Sequence, residues 1–179
     1  LVLFTSDHGT ELGDHGHFGK SGSHSHPYNT RINLFLRVPG SEHNGRHVRP
    51  FVQNQDILPT LLGLLGIEAP SVEGRDMWPL VTGQAESIHG EYIITGFGSY
   101  GSVRSHQWSY IVPYGNPAAD ERLYKLDEDP KENRNVLADY PEQARVCREA
   151  LEALLGGRLP FKTKDKVYPS ERPFSEWIK

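Results

Sequence analysis

The order of residues at the head of the chain constrains its fold more than any other feature. Leu1-Val2-Leu3-Phe4-Thr5 is an apolar run without polar alternation, and Ser6-Asp7-His8-Gly9 follows at once. A run of this kind reads as a strand covered on both faces, as in a parallel sheet flanked by helices. In open sheets of that class, ligands sit beyond the carboxyl ends of the strands, so a polar cluster here stands where a site is expected. Asp offers a hard carboxylate oxygen, and neutral imidazole is a common ligand for divalent cations. Gly9 permits the sharp turn that would let both reach one ion. Taken alone, the triplet is equally well explained by Asp7 capping the next turn and His8 serving as an ordinary polar residue.

Residues 9–30, rich in Gly, Ser and His, read as a long functional loop. Five of the nine histidines (His8, His15, His17, His24, His26) fall in the first 26 positions. Ile32 to Val38 reads as a second strand closed by Pro39-Gly40. Asp56 is placed to cap a helix running to Leu65, with Pro59 in its first turn and Leu58, Leu61, Leu62 and Leu65 at helical spacing. A short helix is expected over 77–82. From about residue 88 the character changes. Residues 91–97, 102–106, 109–113 and 122–126 are short candidate strands between tight turns, which predicts an antiparallel sheet. Pro141 to Leu155 reads as one helix with Ala144, Cys147, Ala150/Leu151 and Leu154/Leu155 on its apolar stripe. The expected organisation is 1–87 as part of an α/β layer, 88–157 as a small sheet with a helix, and 158–179 as an extended tail. No internal repeat is present.

Composition narrows the function. With 36% hydrophobic and 23% charged residues the chain fits a soluble globular class. A net charge of −4 and the lack of a basic cluster argue against a nucleic-acid partner. No apolar run approaches the roughly 20 residues of a membrane span, so no membrane partner is expected. The single Cys147 excludes an internal disulfide and leaves the redox compartment open. An opening inside a strand, with no Met and no signal-like segment, predicts further residues upstream, and leaves localisation open.

The segment Thr5-Ser6-Asp7-His8-Gly9-Thr10-Glu11-Leu12-Gly13-Asp14-His15-Gly16-His17-Phe18-Gly19-Lys20 resembles the C-terminal metal-and-anion motif of sulfatases and phosphonate monoester hydrolases. Further segments match that family in order. They are Tyr28-Asn29 with Arg37-Val38-Pro39-Gly40, Gln55-Asp56-Ile57-Leu58-Pro59-Thr60, Gly74-Arg75-Asp76, and Leu123-Tyr124-Lys125-Leu126-Asp127 followed by Asp129-Pro130, Glu132 and Asn135. The resemblance covers about residues 1 to 155. It implies the C-terminal part of an alkaline-phosphatase-like α/β sandwich followed by a small antiparallel sheet packed with a C-terminal helix.

The resemblance also implies roles. Asp7 and His8 would be two ligands of one divalent cation, calcium in a sulfatase or manganese in a phosphonate or phosphate ester hydrolase. Lys20 would bind the anionic oxygens, where an ammonium meets developing charge. His15 stands where some family members carry a His near the substrate, the alternative being a loop hydrogen bond. The family's nucleophile, a formylglycine made in a Cys/Ser-x-Pro-x-Arg motif, is expected upstream, because that motif is absent here. The remaining carboxylate ligands are expected upstream as well. The expected partners are therefore a small sulfate ester or sulfated carbohydrate and the N-terminal remainder of the same protein. The chain alone is expected to be inactive.

Other residues have plainer readings. Cys147 reads as a core residue, Asp56 as a cap, His17 as a loop hydrogen bond, and His24 and His26 as parts of a solvated loop, with 21–30 the alternative specificity loop or lid. Arg104 and His106 read as an exposed strand face that could border a cleft. Asp127, Asp129 and Glu132 read as a structural turn begun by Asp129-Pro130, with Asn135 tolerating unusual dihedrals. Three functions follow: a sulfuric ester hydrolase; a phosphonate or phosphate ester hydrolase of the same superfamily; or a non-catalytic structural remnant, against which the opening inside a strand argues.

Overall fold

The computed structural model describes residues 1–20, 25–97, 100–114 and 120–157. The described chain forms two compact units: Leu1–Gly9 with Arg31–Ile93, and Thr10–Thr30 with the chain from Ile94 onward. The expected tail, 158–179, and the Ser21–His24 part of the loop lie outside the described residues.

In the first unit, β1 (Val2–Thr5) pairs antiparallel with β4 (Leu34–Arg37), in the register Val2↔Arg37, Leu3↔Leu36, Phe4↔Phe35 and Thr5↔Leu34. This corrects the expectation of a parallel strand buried on both faces. Val2, Phe4 and Phe35 share one face of the pair and are 60%, 63% and 63% exposed. Two strands alone cannot cover both faces of each other, because side chains alternate across the pleat. After a 3₁₀ turn, Asn54–Asp56, helix α2 runs over Ile57–Leu64, and α3 over Trp78–Thr82. The buried residues of α2 are Pro59 and Thr60 rather than the leucines, and Leu58 and Leu65 are largely exposed. Thr60 is held from both sides: its hydroxyl donates to the Asp56 carbonyl (2.6 Å) and accepts from the Met77 amide (2.9 Å).

The second unit opens with a small hairpin, β2 (Glu11–Leu12) and β3 (Phe18–Gly19), then the one-turn helix α1 (Pro27–Thr30). The stretch read as a long loop is therefore partly ordered into short elements. A four-stranded sheet in the order β5 (Ile93–Phe97), β6 (Tyr100–Arg104), β7 (Trp108–Pro113), β8 (Arg122–Lys125) follows, with β6–β7 and β7–β8 antiparallel. Helix α4 (Pro141–Leu154) packs on β6 and β7. It buries Ala144, Cys147 and Leu151, spaced three and four residues apart on one helical face. Cys147 is a buried core residue, as read; Leu154 and Leu155 are substantially exposed. The cross-strand row Val103–Tyr110–Leu123 is fully buried. The next row, Arg104–Ser109–Tyr124, projects to the other face of the sheet, because successive residues alternate. Among the described residues, no helix is long and apolar enough to cross a membrane.

Candidate functional site

The β1 strand end is built around Asp7 and His8. His8 donates its backbone N–H to Asp7 Oδ1 (2.9 Å) and its ring Nδ1–H to the Gly9 carbonyl (2.6 Å). A carbonyl can only accept, so the proton sits on Nδ1, and Nε2 is the lone-pair nitrogen of the neutral ring. That nitrogen lies 3.5 Å from Asp7 Oδ2. Two donors bound side by side to one ion at about 2.3 Å stand roughly 3.3 Å apart, so this N/O pair fits a hard or borderline divalent cation. The Asp7 side chain is 86% exposed. Its backbone carbonyl accepts from the Asn54 amide (3.1 Å), which ties the strand end to the turn before α2. Asn54 escaped the reading of the sequence. Among the described residues no group of three or more His, Cys, Asp and Glu comes together as a metal cluster.

Asp7 and His8 belong to the first unit, His15 and Lys20 to the second. His15 sits at the tip of the β2–β3 hairpin with φ 51° and ψ 21°, between Gly13 and Gly16, both also at positive φ. Its Nε2 donates to the Lys131 carbonyl at 2.9 Å. The loop hydrogen bond of the alternative reading is thus present, and the resulting tautomer leaves Nδ1 as the acceptor nitrogen. Lys20 follows β3, its ammonium 4.5 Å from the centre of the Phe97 ring. An aromatic face holds a cation without neutralising it, which keeps the charge available to an anion.

The structure adds three residues to this unit that sequence reasoning had set aside. His26, read as solvated, is 2% exposed. Its Nδ1 lies 2.7 Å from Glu132 Oε2 and donates to it, and the same carboxylate accepts from Arg104. Arg104 is therefore an ion-pair partner rather than a bare strand face, whereas His106 is exposed in the turn between β6 and β7. The His26 ring packs edge-on to Tyr124 (5.4 Å) and flat on His15 (4.1 Å, 12° between planes). Tyr124 meets the ring and Arg104 meets its Glu132 partner from one cross-strand row, with small Ser109 between them. The Asp127–Glu132 segment is a turn, as expected, but the unusual dihedral falls on Glu132 (φ 59°) rather than on Asn135. Asn135 instead cross-links, its side chain accepting from the Leu123 and Leu137 amides and donating to the Glu121 carbonyl. Burial pushes the Tyr124 hydroxyl up to about 12; Arg122 pulls against it and Glu132 adds to it.

Asp56 stands before α2, but its carboxylate serves other partners than the helix. Its carboxylate accepts from the Gln53 amide (2.7 Å), the Arg75 amide (2.8 Å) and His89 Nε2 (2.6 Å), and it makes no side-chain hydrogen bond to the α2 amides. It is a buried tie between three segments, fully accounted for without a metal.

Residues 13–157 match the family described as N-sulphoglucosamine sulphohydrolase, C-terminal. An arylsulfatase of Clostridium perfringens (strain 13 / Type A) is 32% identical over 176 residues, which take in 88% of this chain and 34% of that protein. A choline-sulfatase of Rhizobium meliloti (strain 1021) is 32% identical over 148 residues, 79% of this chain and 27% of its own. Among solved structures, the phosphonate monoester hydrolase of Agrobacterium radiobacter is similar at a TM-score of 0.73 and 27% identity, covering 86% of this chain and 34% of that one. The chain spans about a quarter to a third of the length of these relatives.

Proposed function

The chain belongs to the sulfatase family of the alkaline phosphatase superfamily, and from that membership we propose that it supplies the C-terminal part of the active site of a sulfuric ester hydrolase. The observation that carries the reading is the paired presentation of Asp7 Oδ2 and the lone-pair Nε2 of His8 at a strand end. Asp7 and His8 would hold a divalent cation, calcium for sulfate-ester chemistry, which when bound supplies Lewis-acid polarisation of the ester oxygens. Lys20 offers an ammonium to the anionic group, and the Phe97 face beneath it leaves that charge unspent. His15 lies on the same unit and presents a neutral acceptor nitrogen to the substrate side. The formylglycine nucleophile and the further carboxylate ligands come from polypeptide outside residues 1–179. The substrate class is a small sulfate ester or a sulfated carbohydrate.

A second reading, hydrolysis of a phosphonate or phosphate ester with manganese, draws on the likeness to the phosphonate monoester hydrolase. Purified full-length protein, assayed with 4-nitrophenyl sulfate and 4-nitrophenyl phenylphosphonate before and after chelation, separates the two. Faster, chelator-sensitive sulfate release supports the first reading. Faster phosphonate cleavage transfers the assignment to the second, and turnover of neither ester sinks both.

A further inference from the structure

His15 is one of two described non-glycine residues at positive φ, and the other is Glu132. Sparsely populated backbone conformations persist where the surroundings over-determine them, and they gather at functional sites. His15 is over-determined by two contacts. The Lys131 carbonyl accepts a hydrogen bond from its Nε2–H, and His26 lies flat against its ring. Tyr28 closes the edge at 5.8 Å and 67°. No described residue partners Nδ1 of His15.

His26 is itself immobilised. It is buried, its Nδ1–H is held by the Glu132 carboxylate, Glu132 is held by Arg104, and Tyr124 packs against the ring edge. Lys131, whose carbonyl fixes His15, and Glu132, whose carboxylate fixes His26, are adjacent residues of one turn. The left-handed dihedral of Glu132 sends its side chain inward while the preceding carbonyl meets His15. A single turn therefore sets both imidazoles. The fully buried row Val103–Tyr110–Leu123 lies on the other face of the sheet.

We propose that His26, fixed by Glu132 and Arg104, is a positioning residue. It holds the ring plane of His15 against the Lys131 carbonyl, which sets the tautomer, so that Nδ1 of His15 serves as a hydrogen-bond acceptor for a hydroxyl of the substrate, which selects sulfate esters of polyhydroxylated alcohols such as sugars. The substrate part of this inference rests on the functional reading above; the tautomer part does not. A preorganised acceptor discriminates strongly because a substrate lacking the hydroxyl leaves it unpaired.

The test uses full-length protein, ¹⁵N spectra of the histidine rings, and two substrates: a monosulfated sugar and 4-nitrophenyl sulfate, which has no hydroxyl. Wild type is expected to show His15 as the Nε2–H tautomer. His26→Leu keeps the buried volume but removes the flat face that holds the His15 ring against the Lys131 carbonyl. It is expected to give a mixture of His15 tautomers and to lower kcat/KM on the sugar about tenfold or more, with a much smaller loss on the aryl ester. His26→Phe restores the flat face and is expected to recover most of the sugar activity. Should His26→Leu not fold, Glu132→Gln carries the same readouts. An Nδ1–H tautomer in wild type, or an unchanged tautomer and unchanged sugar-to-aryl ratio in the folded variant, overturns the proposal. Absence of any ester turnover by wild type instead defeats the functional reading and with it the substrate part, and the spectra then decide the positioning role alone.

Discussion

His26 Nδ1 lies 2.7 Å from Glu132 Oε2 across 106 residues of sequence, and both side chains are buried. Arg104 completes the group, so the Glu132 carboxylate is compensated although it is fully withdrawn from water. Such a group contributes little over an apolar replacement of the whole set, but losing one member strands the others. Glu132→Ala leaves the Arg104 guanidinium half-buried and unpaired and His26 without its acceptor. We expect it to cost about 3 kcal/mol in denaturant unfolding. Glu132→Gln, which still accepts one hydrogen bond, should cost less. A loss under about 1 kcal/mol for the alanine variant would show that the group is not coupled to folding.

The tyrosines of the second unit predict an alkaline limit to stability. Burial and then the Glu121 carboxylate, to which its hydroxyl donates, push Tyr110 far above the ordinary phenol range. Burial pushes Tyr124 to about 12. Both are acids whose folded value is raised above the unfolded value of about 10. Their stabilising contribution is therefore complete below pH about 10 and is lost as pH rises toward the folded values. Tyrosinate absorbance at 295 nm is expected to show these two titrating only with loss of the fold, and Tyr124→Phe is expected to flatten the alkaline slope. A fold that survives while every tyrosine ionises near 10 would contradict this.

Most of the second unit was legible in the sequence, because short strands between turns and a helix with Ala144, Cys147 and Leu151 in phase are local signals. That Asp7 and His8 stand together at a strand end was legible too, because they are adjacent in sequence and directly follow the apolar run. The burial of His26 was not. It depends on Glu132, 106 residues away, and on the register that sets Arg104 and Tyr124 in one row. No periodicity near His26 reports that. The open face of Val2, Phe4 and Phe35 has the opposite cause. Apolar runs announce that a face can be covered, while coverage depends on which polypeptide lies against it. Asp56 shows a third limit. Its place before α2 reads as a cap, but its partners Arg75 and His89 reach it from distant loops.

Gly74 makes that last tie possible. A Cβ at this position would stand 1.8 Å from the Gln55 carbonyl oxygen and 2.4 Å from its carbon, both backbone atoms that cannot swing aside. Gly74→Ala is thus expected to push the Arg75 amide off Asp56 and cost about 3 kcal/mol or more. Gly16 offers the contrast: its φ of 75° makes alanine strained, but a Cβ there meets nothing within 4 Å. Gly16→Ala is expected to cost only about 1–2 kcal/mol. Thermal unfolding of the pair decides the matter. Equal losses would mean that the close approach at Gly74 relaxes freely.

Lys20 allows the division of labour between this chain and the rest of the enzyme to be measured. Its ammonium stands over Phe97 and pairs with no carboxylate among the described residues, so replacing it removes positive charge without breaking an ion pair there. In full-length protein, Lys20→Met is expected to lower kcat/KM for a sulfate ester by about 10²-fold, the usual loss when one stabilising donor is removed from developing negative charge, with the unfolding midpoint nearly unchanged. Residues 1–179 alone, which hold Asp7, His8, His15 and Lys20 but no Cys/Ser-x-Pro-x-Arg motif, are expected to turn over no sulfate ester even with calcium supplied. Turnover by the purified 179-residue chain, abolished by Lys20→Met, would place a nucleophile within these residues and overturn the assignment of that role to polypeptide outside them.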